Sequence, residues 1–145
     1  MNHEKCPMCE LALLIPKKTV EHYSYKGHDF SLENIEYAVC PACNSEVVTP
    51  EQIKRNEARI CDEHRKIEGF FTCAEITGLR KHFKITLSQA AQIFGDNAFS
   101  KYESGEVTQS LSMDKLMKLV LRQPHCFEEL CKMANKSWGS KNVIA

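Results

Sequence analysis

The sequence has 145 residues, 43% of them hydrophobic and 26% charged, with no net charge at neutral pH. This is the composition of one folded domain of common size or two small ones, and it excludes wholesale disorder, the last ten residues aside. No apolar stretch approaches the ~20 residues that span a bilayer, and the start MNHEKCPMCE lacks the apolar run of a secretory signal, so a cytoplasmic protein without a membrane partner is expected.

The even balance hides an asymmetry. Residues 1–49 carry 4 Lys/Arg against 7 Asp/Glu, residues 50–69 carry 5 against 5, and residues 70–145 carry 10 against 7. Polyanions should therefore favour the C-terminal end.

Eight cysteines in a chain expected to sit in a reducing compartment point away from a disulfide framework. Four of them form two pairs, Cys6-Pro-Met-Cys9 and Cys40-Pro-Ala-Cys43. Each C-P-x-C turn presents two sulfurs to one ion, and two such turns complete the tetrahedral thiolate set that zinc favours. A redox C-x-x-C stands alone at a helix start, without a matching pair. One structural Zn²⁺ per chain, held by Cys6, Cys9, Cys40 and Cys43, is the expectation; four protein ligands leave no open position for chemistry. The gap between pairs exceeds the usual ~15–20 residues, so it should contain structure of its own. Val20, Tyr23, Tyr25, Phe30, Leu32, Ile35, Tyr37 and Val39 lie in partly alternating runs around Gly27-His28-Asp29, which predicts a small antiparallel meander turning there. A zinc deaminase also uses P-C-x-x-C, but it requires an H-x-E partner, and no histidine here has a Glu two residues on.

Thr49-Pro50-Glu51-Gln52 starts a helix, with a cap, a proline at the first helical position and a Gln to close the capping box. It should run to about Ile67 and end at Gly69. Its apolar stripe, Ile53, Ala58, Ile60 and Ile67, is thin among alternating charges, as expected of a connecting helix. Cys61 and His64, three apart on one face, are either half of a second metal site or a chance pair. Cys73, Cys126 and Cys131 read as small apolar residues.

Further on, Thr72 with Glu75 and Thr86 with Gln89 repeat the cap signature. The first opens a helix with Ile76, Leu79 and Phe83; the second opens one with Leu87, Ala90, Ala91, Ile93 and Phe94, stopped by Gly95. A third short helix spans the region of Asn97 to Ser104 and stops at Gly105. Ser112 is expected to cap a fourth, with Leu116, Leu119 and Val120 inward. Pro124 interrupts before a fifth, marked by Phe127, Leu130 and Met133. Five short helices with one tight turn between the second and third describe a helix-turn-helix domain, whose third helix enters the major groove of double-stranded DNA. Phe99 and Tyr102 should dock inward, leaving Asn97, Lys101 and Ser104 on one outer face with Ser100 at its margin. Asn offers a two-pronged contact to adenine, and Lys donates to guanine or to phosphate. A generic helical bundle, with Asn97 merely capping and Lys101 solvated, is the competing reading of this pattern.

Lys5-Cys-Pro-Met-Cys9, Cys40-Pro-Ala-Cys43 and above all "IFGDNAFSKYESG", Ile93 to Gly105, resemble the MqsA/YgiT family of bacterial antitoxins. The resemblance covers about residues 5–133. It implies a zinc domain (residues 1–49, α+β with a small antiparallel sheet), a linker helix (50–69), an all-α, Xre-like five-helix DNA-binding domain (70–136) and a tail (137–145). It places base reading on Asn97 and Lys101; the family usually has Arg at the second position, and the lysine gives up the planar fork that grips guanine. Leu87 stands where related domains place a Gln near the DNA backbone, so phosphate positioning would pass to Ser88 or Gln89. Also implied are a homodimer through the C-terminal domain, a palindromic operator in the protein's own promoter, and a cognate toxin, a ribonuclease, held by the zinc domain. The alternative is a stand-alone zinc-containing transcription regulator whose thiols respond to metal or oxidant, with Cys61 and His64 as a labile site. No catalytic pair is legible, and no enzyme is expected.

Overall fold

The computed structural model describes residues 4–138, and side chains as far as residue 134. The chain divides into two compact units, one ending at Ile60 and the other beginning at Cys61. The helix expected as a separate linker thus contributes to both.

In the first unit, β1 (Ile15–Tyr25) and β2 (His28–Val39) form a long antiparallel hairpin, and β3 (Glu46–Val47) adds two residues to the other side of β2. The turn falls at Lys26-Gly27, one residue earlier than expected, and His28 and Asp29 begin β2. Both turn residues have positive φ, 47° and 79°, the combination that matches a two-residue turn to the twist of its strands. The apolar pattern of β2 changes parity between Leu32 and Ile35, yet both are buried. A register shift between Thr19 and Glu21 of β1, opposite Asn34 with φ 59°, absorbs the change.

Next comes α1 (Pro50–Glu68), opened by the expected capping box: Thr49 N–H donates to Gln52 Oε1 (3.0 Å) and Gln52 N–H to Thr49 Oγ1 (3.3 Å). Its sheet-facing side in the first unit is polar, contrary to the stripe read from the sequence. Ile53 is 42% exposed, while Gln52 and Asn56 are buried. The reason is that β3 is too short to cover β2. Asn56 accepts from Glu36 N–H and donates to Glu36 C=O, both at 3.0 Å, as a strand neighbour would. Gln52 Nε2 donates to Tyr37 C=O (2.9 Å) and Arg59 to Asn34 C=O (3.0 Å). Two side-chain amides and a guanidinium thus satisfy backbone groups that the missing strand leaves open.

The second unit contains the end of α1 and five further helices: α2 (Cys73–His82), α3 (Leu87–Phe94), α4 (Phe99–Ser104), α5 (Leu111–Arg122) and α6 (Pro124–Trp138). Capping boxes at Thr72/Glu75 and Thr86/Gln89 are both formed, and Gly69, Gly95 and Gly105 take the left-handed conformation that stops a helix. The core comprises Ile76, Leu79, Ile85, Ala90, Ile93, Phe94, Phe99, Tyr102, Met117, Val120, Cys131 and Ala134.

Three expectations for the later helices fail. Ser110, not Ser112, caps α5, accepting from Met113 N–H. That start places the buried Asp114 to accept from Phe71 N–H (2.8 Å) and from Gln109 Nε2 (3.1 Å). Met117 then occupies the centre of the inward face, and Leu119, about 200° round the helix from it, is 49% exposed. Met133 on α6 is likewise exposed, and Cys131 and Ala134 face the core in its place. Most of the expected tail, from residue 139 on, lies outside the described residues; its first two residues continue α6 to Trp138.

Candidate functional site

Two constellations stand out. In the first unit the sulfurs of Cys6, Cys9, Cys40 and Cys43 lie within 4.8 Å of one another, the one such group among the described residues. Cys6 and Cys43 are 3.7 Å apart, Cys9 and Cys40 3.5 Å. A tetrahedron of thiolates at ~2.3 Å from zinc has edges of about 3.8 Å, so the spacing fits. Each turn is built the same way. Glu10 N–H donates to Cys6 C=O (2.9 Å), and Asn44 N–H to Cys40 C=O (2.8 Å). Glu10 and Asn44 both take positive φ, 59° and 64°.

Backbone N–H groups of Met8, Ala42 and Cys43 point at the sulfurs of Cys6 and Cys40, at 3.3–3.4 Å. Such donors favour thiolates. Side-chain and backbone hydrogen bonds at Ser45 draw the Cys43 thiol down to about 6. At Cys9 the Leu11 backbone hydrogen bond, which lowers, is outweighed by burial and by the neighbouring sulfurs, and the thiol rises to about 11. Four thiols this close share negative charge unevenly and are suited to a soft cation that takes all four as thiolates.

The second constellation is α3, the turn at Gly95 and α4. Phe99 and Tyr102 are buried; Phe99 stacks on Phe94 of α3 with ring centres 5.3 Å apart. Arg80 of α2 holds Glu103 of α4 through two hydrogen bonds, at 2.6 and 3.2 Å, and Thr77 adds a third at 2.9 Å. Asn97, Ser100, Lys101 and Ser104 are exposed. Asn97 lies in the turn before α4 and not on the helix, whose N-cap is Ala98. On α3, Ser88 is exposed, whereas Gln89 is half-buried and its Oε1 accepts from Thr86 N–H at 2.9 Å. With Oε1 already engaged, the amide NH₂ of Gln89 is the group that can donate to an outside partner.

Asp96 fixes the turn that carries Asn97. One carboxylate oxygen accepts from Ala98 N–H (2.8 Å) and the other from the Tyr102 hydroxyl. That hydroxyl bond and the Ala98 N–H hold Asp96 below its ordinary carboxylate range. Burial, then the Asp96 carboxylate, push the Tyr102 phenol up to about 12. Because the folded value lies above the unfolded ~10, neutral Tyr102 contributes its full stability below that pH. The contribution is lost as pH rises through the folded value. Phenolate absorbance should show a tyrosine ionising near 12 that is missing from Tyr102→Phe; a Tyr102 titrating at its ordinary value would show that the contact with Asp96 is not formed in solution.

Sequence reasoning missed Asp96, the Arg80–Glu103 pair and Arg65. Asp96 was findable, since an Asp opening a turn commonly bonds backbone two residues on; the others depend on contacts across more than twenty residues. Cys61 Sγ sits 3.2 Å from Thr108 Oγ1, and no metal group includes it or His64 among the described residues. Cys131 is buried, and Cys73 and Cys126 partly so.

Comparison with known proteins places the sequence alongside a described family. The family model described as the antitoxin component of a bacterial toxin-antitoxin system, MqsA, matches residues 4–131. The chain is also similar to the protein named Antitoxin MqsA from Escherichia coli (strain K12). The two are 26% identical over 129 residues, which cover 87% of this chain and 98% of the relative.

Proposed function

The chain belongs to the MqsA antitoxin family, and from that premise we propose that it neutralises a ribonuclease toxin and represses its own promoter as a DNA-binding homodimer. The observation that carries the DNA half is the sorting of residues around α4: Phe99 and Tyr102 are buried, and Asn97, Ser100, Lys101 and Ser104 are exposed. In this reading α3 and α4 form a helix-turn-helix and α4 enters the major groove. Asn97 meets an adenine from the turn preceding the helix, Lys101 meets guanine or phosphate, and Ser88, Ser100, Ser104 and the amide of Gln89 add contacts to the backbone. Exposed Lys81, Lys84 and Lys115 on the same unit supply further positive charge.

Homodimerisation is supported by the apolar residues that α5 and α6 leave outside: Leu111, Leu119, Leu121 and Met133 are 39–65% exposed. Two copies related by a twofold axis would bind a palindrome with half-sites about one helical turn apart. The four cysteines hold one Zn²⁺, which closes the first unit and contributes no chemistry of its own. That unit, acidic by sequence and more so with four thiolates around a divalent ion, suits a basic toxin.

Footprinting of the protein's own promoter tests the DNA half. Asn97→Ala should cost about 1–3 kcal/mol and relax selection at one base pair per half-site. Lys101→Ala separates two roles: loss at a single guanine marks base reading, while uniform weakening with a salt slope lower by ~1 marks a phosphate contact. A footprint unchanged by Asn97→Ala would remove α4 from the reading role.

A further inference from the structure

We propose that Arg65, near the C-terminal end of α1, is a positioning residue for DNA reading: it locks the last turn of α4 and the loop that follows it. The inference rests on the assignment of α4 to DNA made above. In sequence, Arg65 belongs to the run Cys61-Asp-Glu-His-Arg-Lys66, which reads as a solvated face. In the fold its side chain is fully buried. One terminal nitrogen donates to Tyr102 C=O (2.9 Å) and Val107 C=O (3.0 Å). The other meets Asp62 Oδ1 (3.0 Å) and Cys73 Sγ (3.1 Å).

The chemistry explains why this matters for α4. The helix has six residues, far below the ~12–15 at which a helix approaches stability alone, so its geometry is set by what packs on it. The last carbonyls of any helix lack partners within it. Lys101 C=O is satisfied by the backbone N–H groups of Glu106 (3.0 Å) and Val107 (3.3 Å), and Tyr102 C=O by Arg65. A cation at this end also complements the helix dipole. Asp96 binds the Tyr102 hydroxyl while Arg65 binds the Tyr102 carbonyl, so the residue between Lys101 and Glu103 is held at both ends. Lys101 and Ser104 on the outer face inherit that placement. A planar fork reaches two carbonyls and a carboxylate together; an ammonium group does not.

The test compares full-length wild type, Arg65→Lys and Arg65→Met in two measurements. Without DNA, amide hydrogen exchange at Lys101, Tyr102, Glu106 and Val107 should quicken at least ~10-fold in both variants, from the loss of buried charge-assisted bonds. Amides of Ile76 and Ala90 in Arg65→Lys should stay within about 2-fold. With promoter DNA, the ratio of specific to non-specific affinity should fall ~10-fold or more in Arg65→Lys with an unchanged salt slope, because the residue touches no phosphate.

An equal quickening at all amides in Arg65→Lys would overturn the proposal in favour of a general stabilising role. So would wild-type protection and an unchanged specificity ratio in that variant. If wild type itself selects no promoter sequence while the local quickening occurs, the DNA reading of α4 fails and the clamp on α4 stands.

Discussion

Removing the metal, or replacing Cys40 with Ser, is expected to unfold the first unit while leaving α2–α6 folded. The cluster of buried residues at the cysteines comprises only Cys6, Leu14, Ala38 and Cys40, with Cys9, Ala12 and Val47 packed against it. Two of the four buried members belong to the four-cysteine group, so an ion held there would sit at the centre of what core there is. A structural zinc set contributes about 10–16 kcal/mol of apparent binding free energy at neutral pH. A whole domain retains only about 5–15 kcal/mol of net stability. The first of these is large enough to decide whether a unit of this size folds.

The measurement is amide exchange on the full chain after chelation: protection across β1 and β2 should vanish while protection of Ile76, Ala90 and Tyr102 persists. Acidification should act in the same direction, because protons compete with metal for the thiolates. In a cell, Cys40→Ser should lose the rescue of a co-expressed toxin yet retain promoter binding by the second unit. A chelated protein that keeps its hairpin would show that the four cysteines do not hold the fold.

Phe99→Ala should be the most damaging single change in the second unit. The ring is fully buried, stacks on Phe94 and meets Tyr102 edge-on at 6.1 Å between centres. Truncating a buried Phe costs about 3–5 kcal/mol, the lost transfer energy plus the cavity left behind. For a unit of this size that lowers the melting temperature by more than ~12 °C. α4 should suffer beyond the global loss, since Phe99 is its first residue and its anchor to α3. Calorimetry of Phe99→Ala and Phe99→Leu tests the point, and Leu should recover much of the loss by refilling the volume. A melting temperature unchanged in Phe99→Ala would mean that α4 is not docked on α3 as described.

Features that depend on chemistry within a few residues were legible along the chain. The C-P-x-C turns announce a four-sulfur group because each turn supplies two of the four sulfurs that a zinc site needs. Thr49, Thr72 and Thr86 declare helix starts because a cap and its partner lie three residues apart, and Gly95 and Gly105 declare stops because the left-handed conformation favours glycine. The resemblance that points to the antitoxin family rests on equally local motifs.

Which polar residues turn inward depends on contacts between segments distant in the chain. Asn56 looks solvated until β2 is found to lack a neighbour beside Glu36 on its β3 side. Arg65 looks like one charge in a run until the carbonyls of Tyr102 and Val107, 37 and 42 residues away, arrive beside it. Ser110 wins the cap of α5 over Ser112 because Asp114 must reach Phe71 N–H, 43 residues back. The same cause underlies all three. A polar side chain is buried where a distant backbone group needs a partner, and hydrophobic periodicity along the chain contains no record of that need.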